Sequence, residues 1–228
     1  MNVWQRAGLW TLIITWCVNV PLAFAQDTGE ASDPETANAT VLEVINEMPA
    51  GGGYVWKSTG VPDDVMHQDR VVLAKTTADG TYCSGVTFAT VVEAATREGL
   101  LDDVPFDRVK QFQRDWYGTH DAAAETQCVY AMEQLGIGKA VRPRDAQPGD
   151  FVQYWRGGGS GHSVVFIDWV IDADASEPVG LTYWSSQTAT DGIGMNVEYF
   201  AGHVGPDESK GRVLPDRLYI GRLNTPQR

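Results

Sequence analysis

The chain has 228 residues, 43% of them hydrophobic, and carries 30 Asp and Glu against 17 Lys and Arg for a formal net charge of −13. That is enough apolar material for one domain with a real core. The acidity sets polyanions aside, since nucleic acid and anionic lipid surfaces repel such a chain, and the scattered acids fit a solvated surface.

Residues 1–25 read as an export signal. Arg6 supplies a weak positive start, Ala7 to Val20 is mostly apolar, and Ala23-Phe24-Ala25 has the small-x-small form of a cleavage site. The apolar run is too short and too interrupted for a stable membrane span. An exported protein, periplasmic or secreted, beginning at Gln26 is therefore expected. Lipidation at Cys17 fits less well, because Trp16 stands where a small residue is wanted. Residues 26–39 are polar and lack an apolar period, as a flexible leader does. Residues 40–228 are expected to form a single domain.

Thr40 to Met48 has the pattern of a short amphipathic helix, broken by Pro49 to Gly53 and followed by Tyr54-Val55-Trp56. Val71 to Ala74 reads as one strand. Ser84 to Arg97 is helical, with Val86, Thr90, Val91 and Ala94 on one side and Gly99 as a stop. Val109 to Trp116 fits a short helix, and Asp121 to Leu135 one longer helix with Ala124, Cys128, Ala131 and Leu135 on a stripe. Beyond Gly138 the pattern turns to strands: Phe151 to Trp155, Val164 to Val170, Gly180 to Gln187, Met195 to Phe200 and Arg217 to Leu223. Helices followed by a run of strands imply an α+β fold with a mainly antiparallel sheet of about five strands.

Two residues stand out chemically. Cys83 sits where a helix begins, and free N–H groups at a helix start favour thiolate and can hold an oxyanion. Ser84 and Gly85 leave the sulfur uncrowded. His162 follows a glycine-rich loop and opens a buried strand entered through Gln147-Pro148-Gly149-Asp150. A thiol and an imidazole so delivered are the minimum for a cysteine nucleophile and its base. The bland readings are a strand-edge histidine without a task and a Cys83–Cys128 disulfide, which export permits. Two free thiols are favoured, with Cys128 a small buried apolar residue. His203 lies before the loop Pro206 to Gly211 and has no such strand. His67 and His120 lack partners at metal-ligand spacing, so neither metal nor cofactor is expected. The tryptophans read first as core or cleft wall.

Tyr82-Cys83-Ser84-Gly85-Val86-Thr87 resembles the Asp-Cys-Ser-Gly-Phe-Val segment of NlpC-type cysteine peptidases, a papain-like group. Gln147 to Val152 resembles that family's Pro-Gly-Asp-Leu strand entry, Gly161 to Phe166 its Gly-His-Val strand, and Gly53 to Trp56 its Pro-Tyr-Val-Trp segment. The related CHAP amidases share the cysteine-then-histidine order. The resemblance implies a papain-like fold and a hydrolase that cleaves an amide bond in cell-wall peptide (peptidoglycan). Cys83 is then the nucleophile, His162 the base, and a polar residue on the next strand orients the imidazole. Gln187 is the choice for that residue and Ser185, on the same face, the runner-up. Tyr54, Tyr82 and Ser84 fall at oxyanion or substrate-binding positions. Tyr82 stands where the family has aspartate, and Tyr54 lies farther upstream than the family's spacing. These departures keep a second expectation open, a catalytically silent module that binds a wall peptide or a protein. The acidity of the chain further points to a peptide with a free amine.

Overall fold

The computed structural model describes residues 37–56, 58–174 and 176–225. The expected signal and most of the expected leader lie outside them. The described chain is α+β. It runs through α1 (Ala37–Glu47), β1 (Gly51–Gly52), β2 (Val65–His67), β3 (Arg70–Leu73), α2 (Cys83–Arg97), α3 (Phe106–Trp116), α4 (Asp121–Ala124) and α5 (Cys128–Leu135). It continues with β4 (Gly138–Val141), β5 (Phe151–Arg156), β6 (Gly161–Ile171), β7 (Pro178–Gln187), β8 (Gly192–Tyr199) and β9 (Val213–Leu223).

The main sheet has seven strands in the order β1-β8-β7-β6-β5-β9-β4, with every neighbouring pair antiparallel. The five expected strands are its centre. The two extra edges, β1 and β4, are Gly51–Gly52 and Gly138–Val141, too short or too glycine-rich to announce themselves. Strands β2 and β3 form a separate hairpin.

Helices α1, α2, α3 and α5 pack on one face of the sheet. Val41, Val86, Phe88, Val91, Phe112, Trp116 and Met132 from the helices meet Phe151, Val165, Trp184 and Leu223 from the strands. The opposite face carries a second cluster, Val152, Tyr154, Val164, Phe166, Leu181 and Tyr183. Strand periodicity produces both sets from the same segments.

Two local departures have identifiable causes. Helix α1 starts at Ala37, inside the expected leader, because buried Asn38 donates to Pro148 O and to Asp150 Oδ1, both at 2.9 Å. Asp150 is itself fully buried and paired with Arg222, so the Pro-Gly-Asp turn anchors both α1 and β9. The single helix expected over 121–135 is broken at Gln127, whose φ is +38°. The carbonyl of Glu125 is taken by Trp155 Nε1 at 2.9 Å and its carboxylate by Arg217 and Tyr219, so tertiary partners outbid the helix ladder there.

Candidate active site

Cys83 is the first residue of α2, and Tyr82 before it is extended with no side-chain cap. The approach to this helix start is built from glycines. Val55 N donates to Thr81 O at 2.9 Å and Thr81 N to Gly53 O at 3.0 Å, which sets Tyr54 beside the Thr81-Tyr82-Cys83 segment. A Cβ on Gly53 (φ +80°) would stand 2.7 Å from Asp79 O, so only glycine lets the two chains meet. Tyr54 thus reaches the cysteine despite the long sequence gap, and it lines the adjoining cleft.

The other motif residues divide differently than expected. Gly85 does not clear the sulfur; a Cβ there would collide with the Gly60 backbone. The Tyr82 ring is buried edge-on against Tyr117, with centroids 5.9 Å apart, and Gly60 lies under it. Tyr82 is a packing residue with its ring turned into the core. Ser84 Oγ lies 3.9 Å from Cys83 Sγ.

Helix α2 is tied to the sheet on both sides of the cysteine. Thr81 Oγ1 hydrogen-bonds Ser186 Oγ of β7 at 2.8 Å, and Thr87 Oγ1 hydrogen-bonds Ser163 Oγ of β6 at 3.1 Å. Trp116 Nε1 donates to the same Thr87 hydroxyl at 3.1 Å. Between these ties, β6 and β7 part: their ladder begins at Val165–Trp184 and does not reach residues 162–164. Ser185 Oγ fills part of the gap by donating to Ser163 O at 2.7 Å. Ser185 is therefore occupied with the β6 backbone. The N–H and C=O of one strand residue point the same way, so the Ser163 N–H also faces this gap. Burial raises the thiol pKa of Cys83, and the Ser163 backbone opposes that rise. The thiol sits at the parting of β6 and β7, beside the residue that follows His162.

His162 approaches from the other face. Its ring, 4% exposed, stands edge-on between Tyr154 and Tyr183, with centroid distances of 5.6 and 5.4 Å. Among the described residues no hydrogen bond joins Cys83 Sγ to the imidazole, and His162 Nε2 is buried without a partner. The second buried orphan here is Gln187 Oε1. The Gln187 amide nitrogen donates to Thr190 Oγ1 and to Gly194 O at 3.2 Å, which turns the oxygen free. Gln187 also pulls the His162 pKa upward, the direction given by an oxygen facing a ring N–H.

Behind the ring lies a network that the sequence reading missed. Arg156 grips Glu198 through two nitrogens, with Nε to Oε2 at 2.7 Å. Tyr154 and Tyr183 hydroxyls donate to Glu198 Oε1 at 2.9 and 3.0 Å, and Asn196 Nδ2 donates to Tyr183 OH at 3.0 Å. All these side chains project from the His162 face of β5, β7 and β8. Strand alternation alone would have grouped them, had the pairing of the three strands been known. Arg156, Asn196, Glu198 and His162 line a cleft of about 1080 Å³ that also takes in Tyr54, Gln187 and the loop 158–161, while Tyr154 and Tyr183 lie buried behind it.

Electrostatically, burial dominates both groups. It drives the His162 pKa down to about 3, with the Arg156 charge adding to it and Glu198 and Gln187 opposing. It pushes the Cys83 thiol up, against the Ser163 and Ser84 hydrogen bonds. The helix-start argument predicted a lowered thiol pKa; desolvation outweighs it because the sulfur is enclosed. The resting pair is a neutral thiol and a neutral imidazole. Iodoacetamide is accordingly expected to alkylate Cys83 more slowly at pH 7 than a cysteine in unfolded chain, at a rate still climbing at pH of about 8.5. A plateau already reached by pH of about 6 contradicts that assignment.

Both Cys83 and Cys128 are free buried thiols. His203 is an exposed loop residue, His67 Nε2 contacts Val104 O at 2.7 Å, and His120 pairs with Asp115. Among the described residues no helix is long and apolar enough to cross a membrane. No family model, curated protein or solved structure matches this chain.

Proposed function

We propose that the protein is an exported cysteine hydrolase of papain-like design, similar to NlpC-type and CHAP enzymes, that cleaves an amide bond in cell-wall peptide. The observation that carries this reading is the placement of Cys83 at a helix start, in the parting of β6 and β7, with His162 on the adjoining residue of β6. Cys83 sulfur attacks the carbonyl while its proton passes to His162. The C–N bond breaks, the amine leaves with that proton, and water hydrolyses the thioester. Gln187 Oε1 accepts the imidazole N–H and fixes the tautomer. The Cys83 backbone N–H serves the oxyanion. Hydrogen bonds between catalytic groups are commonly long without substrate and close in the complex. Residues 1–25 act as the export signal in this reading.

The enclosed sulfur and the strongly depressed imidazole favour one alternative, a silent module that holds a wall peptide in the same cleft. Incubation with purified wall fragments and with mixed peptides separates the two. The hydrolase releases new primary amines; wall binding without any released amine selects the silent module.

A further inference from the structure

We infer that the cleft beside His162 selects a substrate bearing a carboxylate or similar anion, held by Lys210 and Arg212 on the connection between β8 and β9. The inference names the substrate class of the site proposed above and rests on that reading for its link to hydrolysis.

The charge of the cleft runs against the charge of the chain. Among the described residues three Lys and Arg line it, and only two Asp and Glu do. Arg156 is already consumed by Glu198, and that pair cancels. Asp207 is turned toward its own loop, accepting from Ser209 N at 3.1 Å. Lys210 and Arg212 remain. Among the described residues neither side chain has a hydrogen-bonding or ion-pair partner, and both are exposed on the cleft wall. Two unpaired cations together in a chain with formal charge −13, otherwise rich in candidate partners, mark a place kept for an anion from outside.

The neighbouring loop, tied to the same connection by Gly157 N donating to Arg212 O at 2.9 Å, supports this. Gly157 and Gly158 need no glycine for packing, since a Cβ at either meets nothing within 4 Å, and neither has a positive φ. Gly158 lines the cleft, so a side chain there would crowd the approach to the two cations. Trp56, 66% exposed, stands on the wall as an apolar platform beside Tyr54. The overall acidity pointed to an amine-bearing peptide; the local lining points to an acidic one.

The test uses binding, so that it stands apart from catalysis. The full-length Cys83→Ala protein is titrated with acetyl-Glu-Ala-amide and with its neutral isostere acetyl-Gln-Ala-amide, followed by tryptophan fluorescence. The acidic peptide is expected to bind roughly five- to tenfold more tightly. The Lys210→Gln/Arg212→Gln double variant, altered only at exposed positions, is expected to bind both equally. Equal affinity in the parent, no binding of the acidic peptide at millimolar concentration, or a preference that survives the double variant overturns the inference. Anion preference in a protein that hydrolyses nothing would leave this subsite standing and sink the catalytic reading alone.

Discussion

Cys83→Ala is expected to abolish hydrolysis, lowering kcat/KM by at least about 10³, while leaving the fold intact. The structural cost is small for three reasons. The sulfur's nearest side-chain partner is Ser84 Oγ at a weak 3.9 Å. Alanine is a good helix former and fits the first turn of α2 without strain. The ties that dock the helix, Thr81 to Ser186 and Thr87 to Ser163, involve other residues. Loss of one buried sulfur is expected to cost roughly 1 kcal/mol, measured by urea unfolding. Thermal or chemical unfolding unchanged within that margin, together with lost amine release, assigns the effect to chemistry. Retained amine release on every responsive substrate would sink the nucleophile assignment.

Glu198→Ala carries the largest expected effect on stability. The carboxylate holds Arg156 and two tyrosine hydroxyls, and its removal strands all three in a setting where Arg156 and Glu198 side chains are 14% and 16% exposed. Breaking a buried pair on one side leaves an uncompensated charge, so a loss of about 3 kcal/mol is expected. Glu198→Gln keeps acceptors for the hydroxyls and should lose less. The pH dependence has a definite sign. Burial works to raise the Glu198 carboxyl, but the Arg156 hydrogen bonds and charge outweigh it and hold it below its usual value. A depressed folded pKa contributes stability above the unfolded value of about 4.3 and loses it as pH falls through the folded pKa. The gap between wild type and Glu198→Gln should therefore be full at pH of about 6 and shrink below pH of about 4. A gap that widens in acid would contradict the ion-pair assignment. Because the same tyrosines flank His162, this variant should also lower kcat more than it raises KM.

How much of this was legible in the sequence depended on the range of the interaction. The α+β class, the core strands and the buried stripe on α5 followed from apolar periodicity, which is local. The start of α2 at Cys83 followed from motif and helix pattern. What escaped depends on partners distant in sequence. The break at Gln127 needs Trp155, Arg217 and Tyr219 to claim Glu125. The nearness of Tyr54 to Cys83 needs a backbone bridge that Gly53 and Gly80 permit, since a Cβ on Gly80 would stand 2.8 Å from the Gly53 carbonyl carbon. The Arg156–Glu198 network needs the register of β5, β7 and β8, which no single segment encodes. The rise in the Cys83 pKa has the same origin: a helix start is visible in sequence, but the enclosure of its sulfur is not.

The thioester on Cys83 is the species that defines the mechanism. Brief reaction of the full-length protein with p-nitrophenyl acetate at neutral pH, acid quench and peptide mapping by mass spectrometry would locate it. The acetyl group is expected on Cys83, forming at least roughly tenfold more slowly in His162→Gln. Cys83 left unmodified while lysines are acetylated, or acetylated equally fast without His162, would contradict a cysteine nucleophile with its base on β6.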